Sequence, residues 1–124
     1  MNQEAVKSWL DAYGRAWETR DPQAAGDLFA DDATYRETPF EEPIKGRSGI
    51  IEYWSNATRS QGEIRFRNEI LAVTDIGIAH WWVSYLRIPS KTQVKLDGIF
   101  VFSLNAENRC KEFQEWWRSQ TTPV

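Results

Sequence analysis

The chain has 124 residues, a length that predicts a single domain, residues 1–124, built around one core. Its net charge is −3, and it holds no basic block and no long apolar run, so we expect neither a nucleic-acid-binding nor a membrane protein. The N-terminal MNQEAVKSWL lacks the regions of a signal peptide, which predicts a cytoplasmic protein. One Cys and one His exclude an internal disulfide and argue against a metal site.

Helical periodicity marks the first half of the chain. The spacing predicts one helix over 2–19, a short second helix that starts at Asp21-Pro22, and a third helix over 47–60. Asn2 is placed to cap the first helix. Apolar residues recur every three or four positions along it, namely Val6, Trp9, Leu10, Tyr13, Ala16 and Trp17.

Strand periodicity marks the second half. A short strand over 34–37 is predicted to follow a turn at Asp31-Asp32, and residues 38–46 are interpreted as a loop. Four long strands joined by short turns are predicted over 63–74, 77–89, 92–104 and 109–118. Helices first and an antiparallel meander afterwards predict an α+β fold in which the helices cover one face of a curved sheet.

Alternation along the strands sorts the side chains onto two faces. Trp81, Val83 and Tyr85 share one face with Phe113, Glu115 and Trp117. The opposite face carries His80 and three large apolar side chains, namely Trp82, Leu86 and Trp116. Exposed apolar patches usually mark an interface, so we expect a homodimer through this second face. The alternative is an ordinary surface with scattered apolar residues.

Several segments carry a resemblance to a known superfamily. The stretches 13–21 (YGRAWETRD), 28–34 (LFADDAT), 50–54 (IIEYW), 100–104 and 109–113 look like the nuclear transport factor 2-like superfamily. That superfamily includes SnoaL-like polyketide cyclases, ketosteroid isomerases and limonene epoxide hydrolases. The resemblance implies a cone-shaped, curved antiparallel sheet wrapped around three N-terminal helices, with an apolar pocket at the mouth of the cone. It is specific for the fold and weak for the function, because this fold hosts many activities.

The resemblance also implies which face lines the pocket. A small apolar or aromatic molecule would then bind between aromatic walls, without a metal, flavin or nucleotide, since no Gly-rich phosphate loop is present. The residues expected to contact this ligand are Trp17, Tyr53, Trp54, Phe66, Trp81, Val83, Tyr85, Phe100, Phe113 and Trp117.

Two residues match catalytic positions of the isomerases. Glu37 falls where those enzymes carry their general base, and a carboxylate in an apolar cone is suited to proton transfer. Tyr13 falls where they carry a tyrosine that donates to a developing oxyanion. The alternatives are an exposed Glu37 at a strand end and a Tyr13 that is one apolar position of its helix.

Two other positions depart from the isomerase pattern. Phe100 stands where the isomerases place a second, acidic donor. Asp97 has the opposite strand parity, so a bulge or a one-residue shift would be needed to bring it into the pocket. Trp54 replaces a supporting tyrosine. These departures argue against steroid isomerisation.

Glu115 is the second acidic candidate, because it lies on an otherwise aromatic face. With Glu37 it would form a carboxyl pair whose environments separate acid from base. The alternative is a salt bridge to Arg36 or Arg118. The predicted function is therefore cofactor-free isomerisation, cyclisation or hydration of a small hydrophobic molecule. The alternative is a non-catalytic binding or dimerisation module whose cone is filled by tryptophans.

Overall fold

Helices and strands follow one another in the predicted order in the computed structural model, which describes residues 1–123. The helices are α1 (Gln3–Glu18), α2 (Pro22–Gly26) and α3 (Gly46–Thr58). The strands are β1 (Phe29–Arg36), β2 (Ile44–Lys45), β3 (Gln61–Val73), β4 (Gly77–Arg87), β5 (Thr92–Leu104) and β6 (Cys110–Pro123). The α+β class is confirmed.

Side-chain caps define the starts of the first two helices. The Asn2 carboxamide oxygen accepts from the Ala5 N–H at 2.8 Å and starts α1. The Asp21 carboxylate accepts from the Ala24 N–H at 3.0 Å, and Pro22 occupies the first turn of α2. These caps fix where α1 and α2 begin.

The sheet has six strands in the order β2-β1-β6-β5-β4-β3. The long strands form the predicted antiparallel meander. β1 pairs with β6, the last strand of this meander, and the two strands are parallel. Alternation along the chain does not predict this parallel pairing. β3 is the other edge, and there the Phe66 N–H donates to Oε2 of Glu18 at 2.9 Å.

The predicted start of β1 and the predicted turn at Asp31-Asp32 were wrong. β1 begins at Phe29, whose neighbour Leu28 accepts through its carbonyl from the Cys110 N–H at 2.8 Å. The register against β6 shifts between Phe29 and Thr34, so both aspartates sit in an irregular part of a strand. The loop predicted over 38–46 contains the two-residue β2.

We call the side of the sheet that carries Trp81 the inner face, and the side that carries Trp82 the outer face. The inner face packs against α1, and Trp81 is fully buried there. At the closed end of the cone, Trp9 of α1 stacks on Phe102 at 4.8 Å between ring centroids, and Tyr13 stacks on Phe113 at 5.7 Å. This end is a packed aromatic core.

The outer face carries mixed side chains. Trp82 and Trp116 are 39% and 44% exposed. His80 lies between two carboxylates, with Nδ1 3.1 Å from Glu69 Oε1 and Nε2 3.0 Å from Asp97 Oδ1. Asp97 therefore lies outside the cone, as strand parity indicates. No helix of the described chain, residues 1–123, is long and apolar enough to span a membrane.

Candidate functional site

A cavity of about 220 Å³ lies on the inner face, between the helices and the strands β4, β5 and β6. Aromatic side chains from α1, β1, α3 and the meander form half of its wall, namely Tyr13, Trp17, Tyr35, Tyr53, Trp54, Trp81, Tyr85 and Trp117. Two acidic side chains, Glu37 and Glu115, are also part of the wall. The volume lies below the roughly 300 Å³ at which drug-sized sites begin, so the cavity suits a compact ligand.

The strand register explains where the cavity begins. Phe102 pairs with Phe113 and Phe100 pairs with Glu115, so Glu115 is the first polar inner-face residue of β6 beyond the packed aromatic core. In the next row Gly98 lies between Trp81 and Trp117. A Cβ on Gly98 would collide with the Trp116 carbonyl oxygen, so glycine permits this close approach of β5 and β6.

Glu115 is the buried acid of the site. Glu115 is 6% exposed, and its Oε2 accepts a hydrogen bond of 2.8 Å from the Tyr35 hydroxyl. Burial raises the pKa of Glu115 to about 8, with a smaller rise from the nearby charge of Glu37 and an opposing effect from the Tyr35 hydrogen bond. The carboxyl is therefore largely protonated at neutral pH.

The salt-bridge alternative for Glu115 is not what the structure shows. Among residues 1–123, neither Arg36 nor Arg118 forms an ion pair with this carboxyl. Arg36 donates instead to the Glu41 carbonyl oxygen at 2.7 Å. Arg118 pairs with Asp97 in the register and lies on the outer face. Hence no cation offsets the burial of the Glu115 carboxyl.

A hydrogen-bond chain continues from Glu115 into the core. The Tyr35 hydroxyl lies 3.1 Å from the Tyr13 hydroxyl, which is itself buried. Burial, followed by the charge of Glu115, raises the pKa of both tyrosines well above 10. Both hydroxyls therefore keep their protons near neutral pH. Tyr13 is linked to Glu115 through the hydroxyl of Tyr35.

Tyr35 is a site residue that the sequence analysis missed. It lies in β1, two positions before Glu37, so the alternation that directs Glu37 inward directs Tyr35 inward as well. Glu37 itself follows the last residue of β1, is half-buried and lies at the cavity. Burial, followed by the charges of Glu115 and Glu37, raises the pKa of Tyr53.

The predicted ligand-contacting residues fall into two groups. Six line the cavity: Trp17, Tyr53, Trp54, Trp81, Tyr85 and Trp117. Four are not part of its wall: Phe66, Val83, Phe100 and Phe113. Strand parity places these four on the correct face, but it does not show how far helix α1 fills the cone. Tyr13 covers Phe100 at 5.2 Å and Phe66 at 5.8 Å between ring centroids.

Polar groups at the other end of the cavity also escaped the sequence analysis. Gln61 is buried at the start of β3, and its Oε1 accepts from Trp17 Nε1 at 2.8 Å. The Gln61 carbonyl oxygen accepts from Arg20 at 3.2 Å. These bonds hold Trp17 in the cavity wall. Within residues 1–123, no three His, Cys, Asp or Glu side chains cluster in a way that could hold a metal ion.

Solved structures share this architecture. SalBIII, an epoxide hydrolase/cyclase-like enzyme with a role in pyran ring formation in polyether salinomycin, has a TM-score of 0.81 at 20% identity, over 94% of this chain and 93% of its own. A protein from Catenulispora acidiphila with a ketosteroid isomerase-like fold, solved in complex with trimethylamine, has a TM-score of 0.76 at 17% identity, over 94% and 86%. A Mycobacterium tuberculosis protein has a TM-score of 0.81 at 13% identity, over 98% of both chains.

The fold is thus nuclear transport factor 2-like, as the resemblance implied. The model of the SnoaL-like domain family matches residues 10–113, and this chain belongs to that family. No curated protein matches the chain in sequence.

Proposed function

We propose that this chain binds a compact, uncharged small molecule in the cavity and performs cofactor-free acid–base chemistry on it. The observation that supports this proposal is the Glu115 carboxyl, which is buried among aromatic rings and bonded to Tyr35, with its pKa raised to about 8. A carboxyl that keeps its proton near neutral pH is suited to act as a general acid.

The hydrogen-bond pattern indicates which oxygen carries the proton. In this scheme Tyr35 donates to Oε2 of Glu115, 2.8 Å away, and the neutral carboxyl carries its proton on Oε1. From there it is donated to a carbonyl, ether or epoxide oxygen of the ligand. Once Glu115 is ionised, the Tyr35 hydrogen bond stabilises the carboxylate. The Tyr13 hydroxyl is hydrogen-bonded to that of Tyr35 and holds it in place, so Tyr13 is a positioning residue in this scheme.

Glu37 is proposed as the base of the same reaction. It is less buried than Glu115 and shares the cavity with it, so the two carboxyls meet different environments. Glu37 would take a proton from a C–H group of the ligand or from a water molecule, while Glu115 gives one to the ligand oxygen. In a ring closure or a water addition, the deprotonated nucleophile forms a bond to carbon while the bond from that carbon to the protonated ligand oxygen breaks. In an isomerisation, the first transfer gives an enol, Glu37 then returns its proton to a different carbon, and Glu115 takes back the proton of the enol oxygen. After ring closure or water addition, a proton that passes from Glu37 to Glu115 restores both groups.

The cavity wall supports an uncharged ligand. The rings offer apolar area and stacking, and the two acidic side chains outnumber the single basic one in the wall, the exposed Arg87, which disfavours anions. The action of SalBIII in pyran ring formation supports the same reaction class.

A thermal-shift screen against small ketones, epoxides and phenols tests the proposal. Wild type, Glu115→Gln and Glu37→Gln are screened together, with the exposed β6 residue Glu112→Gln as a matched control. A ligand at 100 times its Kd adds about 2.7 kcal/mol of stability, which shifts Tm measurably. Each hit is then assayed for turnover. Turnover in wild type and Glu112→Gln, lost in Glu115→Gln and Glu37→Gln, is the expected result.

The cavity volume also favours a second candidate function. The alternative is a non-catalytic binding or dimerisation module whose cone is filled by tryptophans, and a cavity of about 220 Å³, smaller than typical ligand sites, shows that the rings fill much of the cone. Hits that bind wild type and Glu115→Gln alike, without turnover, would identify that function and contradict the catalytic proposal.

The homodimer through the outer face remains a prediction. Trp82, Leu86 and Trp116 share that face as expected, but the charged side chains that lie between them in the register oppose an interface with a second copy. Light scattering coupled to gel filtration at micromolar concentration gives the mass of the particle. A monomeric mass would contradict the prediction.

A further inference from the structure

A groove of about 530 Å³ runs across the outer face, on the opposite side of the sheet from the cavity. Four basic side chains border it, each exposed, and they come from β3, β5 and β6: Arg65, Arg67, Lys95 and Arg118. In the described chain, residues 1–123, none of the four forms an ion pair. A net negative protein therefore carries a local excess of positive charge here.

The strand register shows why these cations meet. Arg67, Trp82, Asp97 and Arg118 form one row across β3, β4, β5 and β6. The next row on the same face is Arg65, Ser84, Lys95 and Gln120. Neighbouring side chains in a row lie about 5 Å apart. The positive charges are thus held by the sheet itself.

The acid in these rows is already engaged. Oδ1 of Asp97 lies 3.0 Å from Nε2 of His80, and the other ring nitrogen of His80 contacts Glu69. The pairing leaves Asp97 less able to neutralise the arginines on either side of it in the row. An incoming anion would therefore meet a positive potential.

An aromatic ring and a small residue shape the floor of the groove. Trp82 is 39% exposed, and His80 stacks on it with the ring centroids 4.9 Å apart. Ser84 is the next outer-face residue of β4 and also lines the groove. A short side chain beside a large ring makes a hollow in which a planar group can lie against the indole.

We propose that this groove is a binding site for a small anionic aromatic molecule, specifically a planar ring that carries a phosphate group. The ring would lie against Trp82 over Ser84, and the phosphate would take hydrogen bonds from the guanidinium groups of Arg67 and Arg118. This site is separate from the cavity, so it stands or falls independently of the proposed acid–base function.

Charge favours this occupant over a second copy of the chain. A two-fold interface centred on the groove brings each patch against its own copy, so the basic side chains of both copies would be buried together. Like charges that are brought together and desolvated oppose such an interface. A phosphate compensates the same charges.

The test is an NMR titration with phenyl phosphate at low ionic strength, following the indole N–H of Trp82. We expect that signal to shift in a saturable way and the affinity to fall with added salt. The double variant Arg67→Gln/Arg118→Gln should bind about tenfold more weakly, which corresponds to the loss of about 1.4 kcal/mol. Arg109→Gln removes the same charge from an exposed turn and should leave the affinity unchanged.

A second variant separates a built groove from a general attraction. Ser84→Leu keeps every cation but fills the hollow, so it should also weaken binding of phenyl phosphate, while phenol and inorganic phosphate should each bind more weakly than the joined molecule. The proposal is overturned if the Trp82 signal does not move at about 10 mM phenyl phosphate, well above a millimolar Kd. Equal weakening by Arg109→Gln, or a dimer that protects the Trp82 indole, would overturn it as well.

Discussion

Trp81 and Trp82 are neighbours in the chain but lie on opposite faces of β4. Trp81 is fully buried and stacks on Phe100 with centroids 4.9 Å apart, whereas Trp82 is 39% exposed and stacks on His80 at the same distance. Ionisable side chains on the inner face are shielded from water, whereas those on the outer face are exposed to it. The same side-chain chemistry therefore has different energetic weight on the two faces.

The carboxyls show this difference most clearly. Glu115 on the inner face has its pKa raised to about 8 because burial disfavours its charge. Glu69 and Asp97 on the outer face are exposed and pair with His80. The function proposed for the inner face depends on one perturbed acid, and the binding proposed for the outer face depends on the sum of several ordinary charges. The four predictions below test that contrast.

The largest effect is expected for the two tryptophans themselves. Trp81→Ala removes a fully buried ring and should cost about 3–5 kcal/mol of the free energy of unfolding. Trp82→Ala removes a half-exposed ring and should cost about 1 kcal/mol or less. Urea denaturation of both variants measures the difference. Equal losses would contradict the assignment of the two faces.

The buried acid should make stability fall as the pH rises. The folded state holds the Glu115 proton up to a pKa of about 8, while the unfolded state releases it near 4.5. Between those values the folded state binds more protons, so stability decreases by up to about 1.4 kcal/mol per pH unit. Tm measured from pH 4 to 9 should decline less in Glu115→Gln than in wild type or Glu112→Gln. A parallel decline in all three would contradict the buried, protonated carboxyl.

Removing one hydroxyl should test the hydrogen-bond chain. Tyr35→Phe leaves Glu115 and Tyr13 without their shared partner, which should cost about 1–3 kcal/mol. It should also raise the pKa of Glu115 further, since the Tyr35 bond lowers it. Urea denaturation and the pH profile of Tm provide the two measurements. Tyr85→Phe, at the same cavity but outside the chain of bonds, is the control, and an equal effect there would contradict the prediction.

The smallest effect is expected at His80. Burial alone lowers the pKa of His80, but the hydrogen bonds to Glu69 and Asp97 outweigh it, and the pKa is raised from 6.5. The protonated imidazole therefore stabilises the folded state. This contribution is complete below pH 6.5 and is lost as the pH rises through the pKa of His80 in the folded state. Glu69→Gln should lower the pKa seen by NMR titration of the imidazole, whereas Glu63→Gln on the same strand should not. An unchanged pKa in Glu69→Gln would show that the contact is not maintained.

Much of the fold could be predicted from the sequence. Periodicity identified the helices and the meander because each element buries one face, and the caps at Asn2 and Asp21 were visible as residue types. Strand β1 was too short in the prediction because Asp31-Asp32 is typical of a turn, and only the contact of Leu28 with Cys110 shows that the strand starts earlier. Parallel pairing of β1 with β6 joins distant parts of the chain, which local patterns do not encode.

The site could be predicted only in part. Parity placed Glu115 and Trp117 on the inner face, and the resemblance placed Glu37 at the cavity. Neither indicates how deep in the cone a residue lies. That depth decides that Phe100 and Phe113 belong to the packed core, whereas Trp81 lies in the cavity wall. Tyr35 was within reach of the same alternation as Glu37. The rows of basic residues on the outer face depend on register across four strands, which a linear sequence does not reveal.

The carboxylate of Glu18 against β3 has a consequence for solubility at high concentration. β3 is an edge strand, and unpaired N–H groups on such an edge are a template on which another chain can add a strand. Glu18 occupies the N–H of Phe66, and charged side chains at Glu63, Arg65, Arg67 and Glu69 line the exposed positions of the same strand. Arg67, one of the two arginines proposed to hold a phosphate, would therefore also help to keep neighbouring molecules from pairing their sheets edge to edge into fibrils.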